Sequence, residues 1–362
     1  MSDYFEIDFL EVGESKSGDA ITIRYKIGEH TTIHVVDGGF QETGDSIVEH
    51  INKYYGNPSY IDRVVVTHPD GDHVGGLKTV LEKFSIGELW MLRPWNYAGE
   101  LIYRFDRYTS VENLKKRLKE IYPNIATLEE IANKKQINIY EPFQGAVIGE
   151  FKVLAPTKSR YLDLIVESEK TPESSEEKNV LSSLAFGEIT KKAMKKVINF
   201  IRAKWGEENF SDEPTSAENE MSVIQFSLLC NHKILLTGDA GRLALTEALN
   251  YAPRIGLTLP GIDKFQVPHH GSRRNLSSDI LDAWLGQKLS SKPPNGTEKF
   301  SAIISVAKKD EEHPRKAVVR ALIHRGAKVI DTKKGTLCAY FNSPDRGWDT
   351  AVPLEYPEDQ EE

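Results

Sequence analysis

The hydrophobic positions change period along the chain, and these changes divide it into short strands and amphipathic helices. Residues 5–12, 20–27 and 30–39 are rich in β-branched side chains and are separated by glycine, which predicts three strands. Residues 44–56 carry apolar positions at helical spacing and predict a helix. The apolar run 61–68 predicts a buried strand that leads directly into polar residues.

The same alternation of strands and helices returns in the second half of the chain. Two comparable halves of this kind predict an α/β fold, in which two sheets pack together as an αββα sandwich with helices outside. We assign residues 1–156 and 220–354 to one core and residues 157–219 to an insertion. Residues 355–362 form an acidic tail that we expect to be frayed.

The insertion combines a polar, acidic stretch with a charged segment whose apolar positions have helical spacing. The second part predicts an amphipathic helix over residues 186–206, with Ile201 among its inward positions. The pattern leaves three roles open: a lid over a site, a segment that binds a partner protein, or a decorating helix with no role.

Composition and charge limit the function classes. The 362 residues are 39% hydrophobic and 28% charged, which is typical of a soluble globular protein. The net charge of −8 argues against whole-molecule attraction to nucleic acid, so such binding would need a local basic patch. Two cysteines argue against a disulfide framework, and no apolar run reaches membrane-spanning length. These features predict a soluble, cytoplasmic protein that has no membrane partner.

Candidate metal ligands are concentrated in the segment THPDGDHVGG. His68 and Asp70 are two residues apart, so in extended chain they face the same side. Gly71 permits a sharp turn, after which Asp72 and His73 begin a helix and can face the same point. An exposed polar loop would explain the polarity, but not two histidines and two aspartates at the exit of a buried strand. The segment therefore predicts a metal site.

This segment resembles the H-x-[HD]-x-D-H signature of the metallo-β-lactamase superfamily. The aspartate at its third position is similar to the branch that includes the hydrolase domain of the ComEC/Rec2 competence proteins. Further segments resemble that branch in the same order along the chain, namely FLEVGESKSGDAITI, HVVDGG, NEMSVI, LLTGD, VPHHGS and the closing HPRKAVVRALIHRGAKVIDTKKGTLCAY. The resemblance implies the metallo-β-lactamase sandwich and a metal-dependent hydrolase.

The resemblance also implies a role for residues beyond the first motif. Asp239 would bridge two metals, although alone it would be interpreted as a helix N-cap. One residue of the His269–His270 pair would be a further ligand. Because adjacent strand residues point in opposite directions, we expect only one to bind. We prefer His269, because the chain here resembles relatives that carry His-aromatic-Gly at this position. His270 would then flank the substrate or donate a proton, and we assign catalytic roles to Asp72 and His270.

Other residues near these motifs have two interpretations each. Asp37 would accept hydrogen bonds that hold the ligand loop, or would serve the following glycine turn. Asn219 would lie near a metal and bind the substrate, or simply start a strand, and Ser272 would bind a substrate oxygen or be an ordinary turn serine. Arg273, with its neighbour Arg274, is a candidate phosphate contact. A solvated charged face is the favoured interpretation of a lysine run formed by Lys191, Lys192, Lys195 and Lys196.

The expected ligand set bears on the cofactor and the reaction. Between His73 and Asp239 the chain has a single histidine, His232 in a predicted hairpin turn, so occupancy of one metal position stays open. Three aspartates with three histidines suit two divalent ions, either Zn²⁺ or Mn²⁺. A metal-bound hydroxide at such a site could attack phosphorus or a carbonyl carbon, and the charge of the ligand set suits an anionic phosphodiester. The resemblance to the ComEC/Rec2-like branch implies a phosphodiesterase or nuclease, with nucleic acid or a small diester as substrate. The alternatives are an ester or lactone hydrolase, and a subunit that binds a protein partner through residues 157–219.

Overall fold

Two seven-stranded mixed sheets form the centre of the computed structural model, which describes residues 2–105, 108–171 and 199–362. The first sheet has the strand order β15-β1-β2-β3-β4-β5-β6. Its strands are antiparallel from β15 to β3 and parallel from β3 to β6. The strands are β1 (Tyr4–Phe9), β2 (Ala20–Ile27), β3 (His30–Gly38), β4 (Tyr60–Val65), β5 (Ser85–Trp90), β6 (Asn138–Tyr140) and β15 (Leu337–Phe341).

The second sheet has a similar division into a parallel and an antiparallel half. Its order is β14-β13-β12-β11-β10-β8-β7, parallel from β14 to β11 and antiparallel from β11 to β7. The strands are β7 (Val147–Ile148), β8 (Phe151–Ala155), β10 (Ile224–Leu229), β11 (His232–Leu236), β12 (Lys264–Gln266), β13 (Phe300–Ile304) and β14 (Ala327–Asp331).

The apolar core lies between the sheets and beneath the helices that cover them. Phe5, Ile7 and Phe9 on β1 are buried in one cluster with Phe151 and Ile234 of the second sheet. A second cluster lies beneath helices on the outer face of the second sheet. The α-helices of the described residues are Thr43–Tyr54, Gly71–Val74, Leu77–Lys83, Ala98–Leu101, Val111–Ile121, Pro123–Lys135, Lys158–Glu167, Ala217–Glu220, Arg242–Tyr251, Ser278–Leu285 and Lys316–His324. Two mixed sheets flanked by helices confirm the predicted αββα sandwich.

The chain's acidic end and part of the predicted insertion helix differ from the expectation. Most of the predicted helix lies outside the described residues, but its end forms strand β9 (Phe200–Arg202). This strand pairs antiparallel with β16 (Asp359–Glu361), so the frayed tail was a wrong prediction. Ile201 therefore lies in a strand and is exposed. The pairing joins segments far apart in sequence, and neither segment alone carries a signal for it.

The first described part of the insertion packs on the sandwich. In the helix Lys158–Glu167, the side chains of Tyr161, Leu164 and Ile165 are buried in the cluster between the sheets. The division of the chain at residue 157 stays a prediction. Within the part of the chain that the structure describes, no helix is both long and apolar enough to cross a membrane.

Candidate metal centre

The predicted ligands lie where strands of both sheets end. Strand β4 is followed by His68 and the short helix Gly71–Val74, and β3 ends beside Asp37. In the second sheet, β11 precedes Asp239 and β12 precedes the His269–His270 pair. Carboxyl ends of parallel strands are the usual position of sites in α/β sheets. Segments far apart in sequence therefore meet at one edge of the sandwich.

Asp239 is the centre of the arrangement. Its Oδ1 lies 3.3 Å from His73 Nε2, and its Oδ2 lies 3.9 Å from His68 Nε2. The same Oδ2 lies 3.7 Å from His269 Nε2 and 4.0 Å from His270 Nε2. Asp239 is buried and does not cap the following helix, because Gly241 takes the N-cap position. One carboxylate thus faces all four predicted imidazoles.

The two remaining aspartates of the motif lie on different sides of this carboxylate. His270 Nε2 lies 4.0 Å from Asp72 Oδ2, and ligand atoms of Asp72, His73 and His270 all lie within 4.8 Å of one another. His68 Nε2 lies 3.9 Å from Asp70 Oδ2. The arrangement therefore offers two adjoining positions, one beside Asp72 and one beside Asp70.

Several buried polar atoms at the centre have no hydrogen-bond partner among the described residues. They are the Nε2 atoms of His68, His73 and His270 and the Oδ1 atom of Asp239. Such atoms are costly to bury, and native proteins rarely leave them without a partner. Imidazole nitrogens and carboxylate oxygens are suitable ligands for divalent transition metals. These residues therefore fit a metal-binding role.

The opposite nitrogen of each imidazole is held by the protein. His73 Nδ1 lies 2.8 Å from Asp37 Oδ2, and His270 Nδ1 lies 2.9 Å from the carbonyl oxygen of Ser305. His68 Nδ1 lies 3.0 Å from Thr67 Oγ1, and Thr67 itself donates to both oxygens of Asp37. Such partners orient a ligating imidazole and leave Nε2 for the metal. Asp37 stands where its predicted supporting role requires.

Burial and neighbouring charges set the protonation of the centre. Burial lowers the pKa of His68, and lowers that of His270 to about 4, so both imidazoles are neutral at pH 7. Burial alone would raise the pKa of Asp239, but His73, His269 and His270 outweigh it and hold the pKa well below its usual value. His68, His270 and Asp239 are therefore in the forms that bind metals. Burial alone would lower the pKa of His73, but Asp239 and Asp37 outweigh it and raise the pKa well above its usual value, so metal binding there would release a proton.

The geometry of the His269–His270 pair differs from the prediction. The pair lies after β12 in a 3₁₀ turn, His269–Gly271, and both histidines have left-handed backbones with φ of 48° and 55°. Strand alternation therefore does not apply, and both Nε2 atoms approach the same oxygen of Asp239. The His270 side chain is 5% exposed and that of His269 is 31% exposed. The argument from strand alternation that only one of the two histidines can bind was therefore wrong, and the burial and contacts of His270 favour it over the predicted His269.

Three predicted substrate contacts have other partners in the structure. Asn219 Nδ2 lies 2.9 Å from His269 Nδ1, so it positions that histidine. Ser272 Oγ accepts from the Arg274 main chain, as an ordinary turn serine does. Arg273 donates to the main-chain oxygens of Asn209 and Glu362, and its role as a phosphate contact stays a prediction. The run Lys191, Lys192, Lys195 and Lys196 lies outside the described residues.

The structure also places residues at the centre that the sequence did not indicate. Asp19, directly before β2, is buried with Oδ2 3.8 Å from His73 Nδ1, and burial raises its pKa to about 7. Asn275 Oδ1 lies 3.0 Å from His269 Nδ1. Lys170, from the predicted insertion, donates to Asp70 Oδ1 at 2.6 Å. Only Asp19 has a local signal, an acidic residue between Gly18 and a buried strand.

Comparisons with known proteins bear on the fold. Residues 19–130 match the model of the metallo-beta-lactamase superfamily. The metallo-beta-lactamase fold protein YhfI from Bacillus subtilis is 9% identical, with 93% of this chain and 100% of that chain covered and a TM-score of 0.38. AbOPH, a hydrolase in the beta lactamase superfamily, is 11% identical, with coverages of 71% and 86% and a TM-score of 0.34.

A third solved structure covers a smaller part of the chain. AidC, a dizinc quorum-quenching lactonase, is 16% identical, with 37% of this chain and 47% of that chain covered and a TM-score of 0.24. A search of curated proteins gave no match. The superfamily match and the two mixed sheets flanked by helices together make the sandwich a metallo-β-lactamase fold.

Proposed function

We propose that this chain, which contains a metallo-β-lactamase superfamily domain, is a metal-dependent phosphodiesterase. The observation that carries the proposal is the ring of unpartnered, buried Nε2 atoms around Asp239. Hydrolysis by divalent metals is typical of the superfamily. The phosphodiester specificity is supported by the charge of the site and by the resemblance to the ComEC/Rec2-like branch.

The side chains suggest two metal positions that share Asp239. Asp72, His73 and His270 would complete one position, since their ligand atoms already lie within 4.8 Å of one another. His68 and Asp70 would serve the other, with Asp239 Oδ2 3.9 Å from His68 Nε2. Divalent ions held by these residues would supply a hydroxide nucleophile near neutral pH and would stabilise negative charge on the substrate.

The charge balance of the centre favours an anionic substrate. Asp70, Asp72 and Asp239 carry three negative charges, and two divalent ions carry four positive charges, so one positive charge remains before a hydroxide binds. The ammonium group of Lys170, which contacts Asp70, adds another. A cationic site binds a phosphodiester more strongly than a neutral ester or lactone. The carboxylate of Asp70, where many superfamily members have histidine, also favours the harder ion Mn²⁺ over Zn²⁺.

The two histidines of the turn have different tasks in this proposal. His270 is buried, and its Nδ1 is fixed by the Ser305 carbonyl, so it holds a metal. His269 is partly exposed, and its Nδ1 lies against Asn219 and Asn275. That position suits a group that gives a proton to the leaving oxygen. Asn219 and Asn275 then position the imidazole of His269.

The first prediction concerns the reaction itself. Metal-reconstituted protein should cleave bis(p-nitrophenyl) phosphate, faster with Mn²⁺ than with Zn²⁺, and should show little activity on a homoserine lactone. Asp239→Asn should lower the phosphodiesterase rate at least about 100-fold, because the central carboxylate is lost. Initial rates with each metal measure this. Turnover of the lactone alone, with no phosphodiester cleaved under either metal, would contradict the proposal.

A further inference from the structure

A cleft opens beside Asp72 that the metal centre does not use. Its volume is about 590 Å³. The side chains that define it come from the loop before β2, the turn after β3, the helices that begin at Gly71 and Leu77, and the helix Pro123–Lys135. The polar and aromatic members are Lys16, Phe40, Gln41, Asp72, Lys78 and Asn124.

The charged side chains that line the cleft are Lys16, Lys78 and Asp72, so two positive charges face one negative charge. Lys16 and Lys78 are exposed, and neither forms an ion pair or a hydrogen bond with another side chain in the described part of the chain. Two ammonium groups from separate segments on one concave surface form a site for an anionic group, and lysine is a common ligand of phosphate. The amides of Gln41 and Asn124 add hydrogen-bonding groups to the same wall.

The wall beside Asp72 is fixed by close backbone packing. A Cβ atom on Gly75 would lie 2.6 Å from the Gln41 nitrogen and 2.8 Å from the Phe40 carbonyl carbon, so only glycine allows this approach. The contact holds the Phe40–Gln41 turn against the helix that carries Asp72. The main chain of Phe40 is therefore held at the cleft wall, and its partly exposed ring offers an apolar surface in the same cleft as the two cations.

The opposite side of the centre has the reverse charge. A second cleft of about 410 Å³ contains His270 and also Asp310, Glu311 and Glu312. Its cation Lys309 is paired with Glu14, and two of its carboxylates also have partners, Glu312 with Arg315 and Asp310 with His313. Lys16 lies between the two clefts and lines both. A second anionic group on the substrate would therefore be attracted to the Asp72 side and repelled from the His270 side.

We propose that the Lys16–Lys78 cleft is a subsite for a second phosphate group, carried by the substrate next to the bond that is cleaved. Phe40 contacts the apolar or aromatic part that joins this phosphate to the scissile one. The inference rests on the proposed phosphodiesterase function and adds to it, because it selects substrates with at least two phosphates over simple diesters. The chemical class is a phosphodiester with an adjacent phosphate.

Two matched chromogenic esters test this subsite. They are the p-nitrophenyl ester of thymidine 5′-phosphate and the same ester with an additional 3′-phosphate. Wild type should have a kcat/KM at least about tenfold higher for the ester with the second phosphate, mainly through KM. Lys16→Gln with Lys78→Gln should abolish that preference and leave the simple ester unaffected. The control is Lys83→Gln, on the same helix as Lys78 but outside the cleft, which should keep the preference.

Binding measurements separate failure of the subsite from failure of the function. Calorimetry should show that wild type binds thymidine 3′,5′-bisphosphate more tightly than thymidine 5′-phosphate, and that the double lysine variant does not discriminate. This result would support the subsite even if neither ester were hydrolysed, which would contradict the proposed function alone. Equal affinity of wild type for both nucleotides, or an unchanged preference in the folded double variant, would overturn the subsite.

Discussion

The direction of each imidazole at the centre is determined by the partner of its Nδ1 atom. Asp37 takes this role for His73, Thr67 for His68 and the Ser305 carbonyl for His270. Each of these partners is itself buried, so the ring has little freedom to turn. His269 differs, because its Nδ1 contacts amide side chains and its ring is partly exposed. The two neighbouring histidines are therefore expected to differ in metal binding.

The metal content of two single variants checks this difference. His270→Ala should weaken binding of one divalent ion at least about tenfold, because it removes a buried ligand whose Nδ1 is already oriented. His269→Ala should keep most of the metal and lose turnover. Elemental analysis after dialysis against a metal buffer measures the occupancy. The exposed His30→Ala is the matched control, and metal loss in His269→Ala alone would reverse our assignment.

Some site residues could be predicted from the sequence and others could not, and the reason is physical. His68, Asp70, Asp72 and His73 lie within six residues, so strand and helix geometry alone brings them together. Their convergence on Asp239 depends on the packing of two sheets, which only the family resemblance indicated. The orientation of His269 and His270 depends on a left-handed turn at two non-glycine residues, which sequence rarely indicates.

At the scale of elements, the last residues of the sequence cap the first turn of the helix Lys316–His324. Strand β16 pairs with β9, and this pairing places Glu361 at the first turn of that helix. The Glu361 carboxylate accepts from the main-chain nitrogens of Lys316 at 2.8 Å and Ala317 at 3.0 Å. Amide groups of the first helical turn have no partner within the helix, and a carboxylate there is favourable for the helix dipole. The acidic tail is therefore a structural element.

Removing this carboxylate should destabilise the protein. Glu361→Ala leaves two helix amides without an acceptor, and we expect a loss of about 1–2 kcal/mol in the free energy of unfolding. Denaturant titration followed by circular dichroism measures it. The neighbouring Glu362→Ala is the control, because it removes a carboxylate that does not contact the helix amides. If both variants were as stable as wild type, the capping role would be wrong.

At the scale of the whole molecule, a buried histidine lies between the two sheets. The ring of His34, on β3, contacts Tyr25 in its own sheet and Phe151 in the other, with centroid distances of 5.3 and 5.8 Å. Its Nε2 lies 3.2 Å from Arg63 Nη1 and 3.3 Å from the Tyr25 hydroxyl, and Glu88 pairs with Arg63. The alternation of strands and helices predicted this sandwich, but not the registers that bury a titratable group in it.

This buried histidine makes the stability of the sandwich depend on pH. Burial, with a smaller contribution from Arg63, lowers the pKa of His34 to about 3, against 6.5 when the group is exposed. The unfolded chain therefore binds one more proton than the folded chain between these values. As the pH falls from 6.5 towards 3, His34 should remove stability by up to about 1.4 kcal/mol per pH unit.

Two histidine variants on strand β3 separate the contribution of His34 to the stability from that of other groups that titrate in acid. His34→Gln cannot be protonated, so the difference in unfolding free energy between this variant and wild type should change in favour of the variant as the pH falls from 6.5 to 4. His30→Gln, at the exposed start of the same strand, should keep the wild-type slope, because its side chain is not buried between the sheets. Urea unfolding at half-unit pH steps gives both slopes. Parallel curves for wild type and His34→Gln would show that the buried histidine does not control the acid sensitivity of the sandwich.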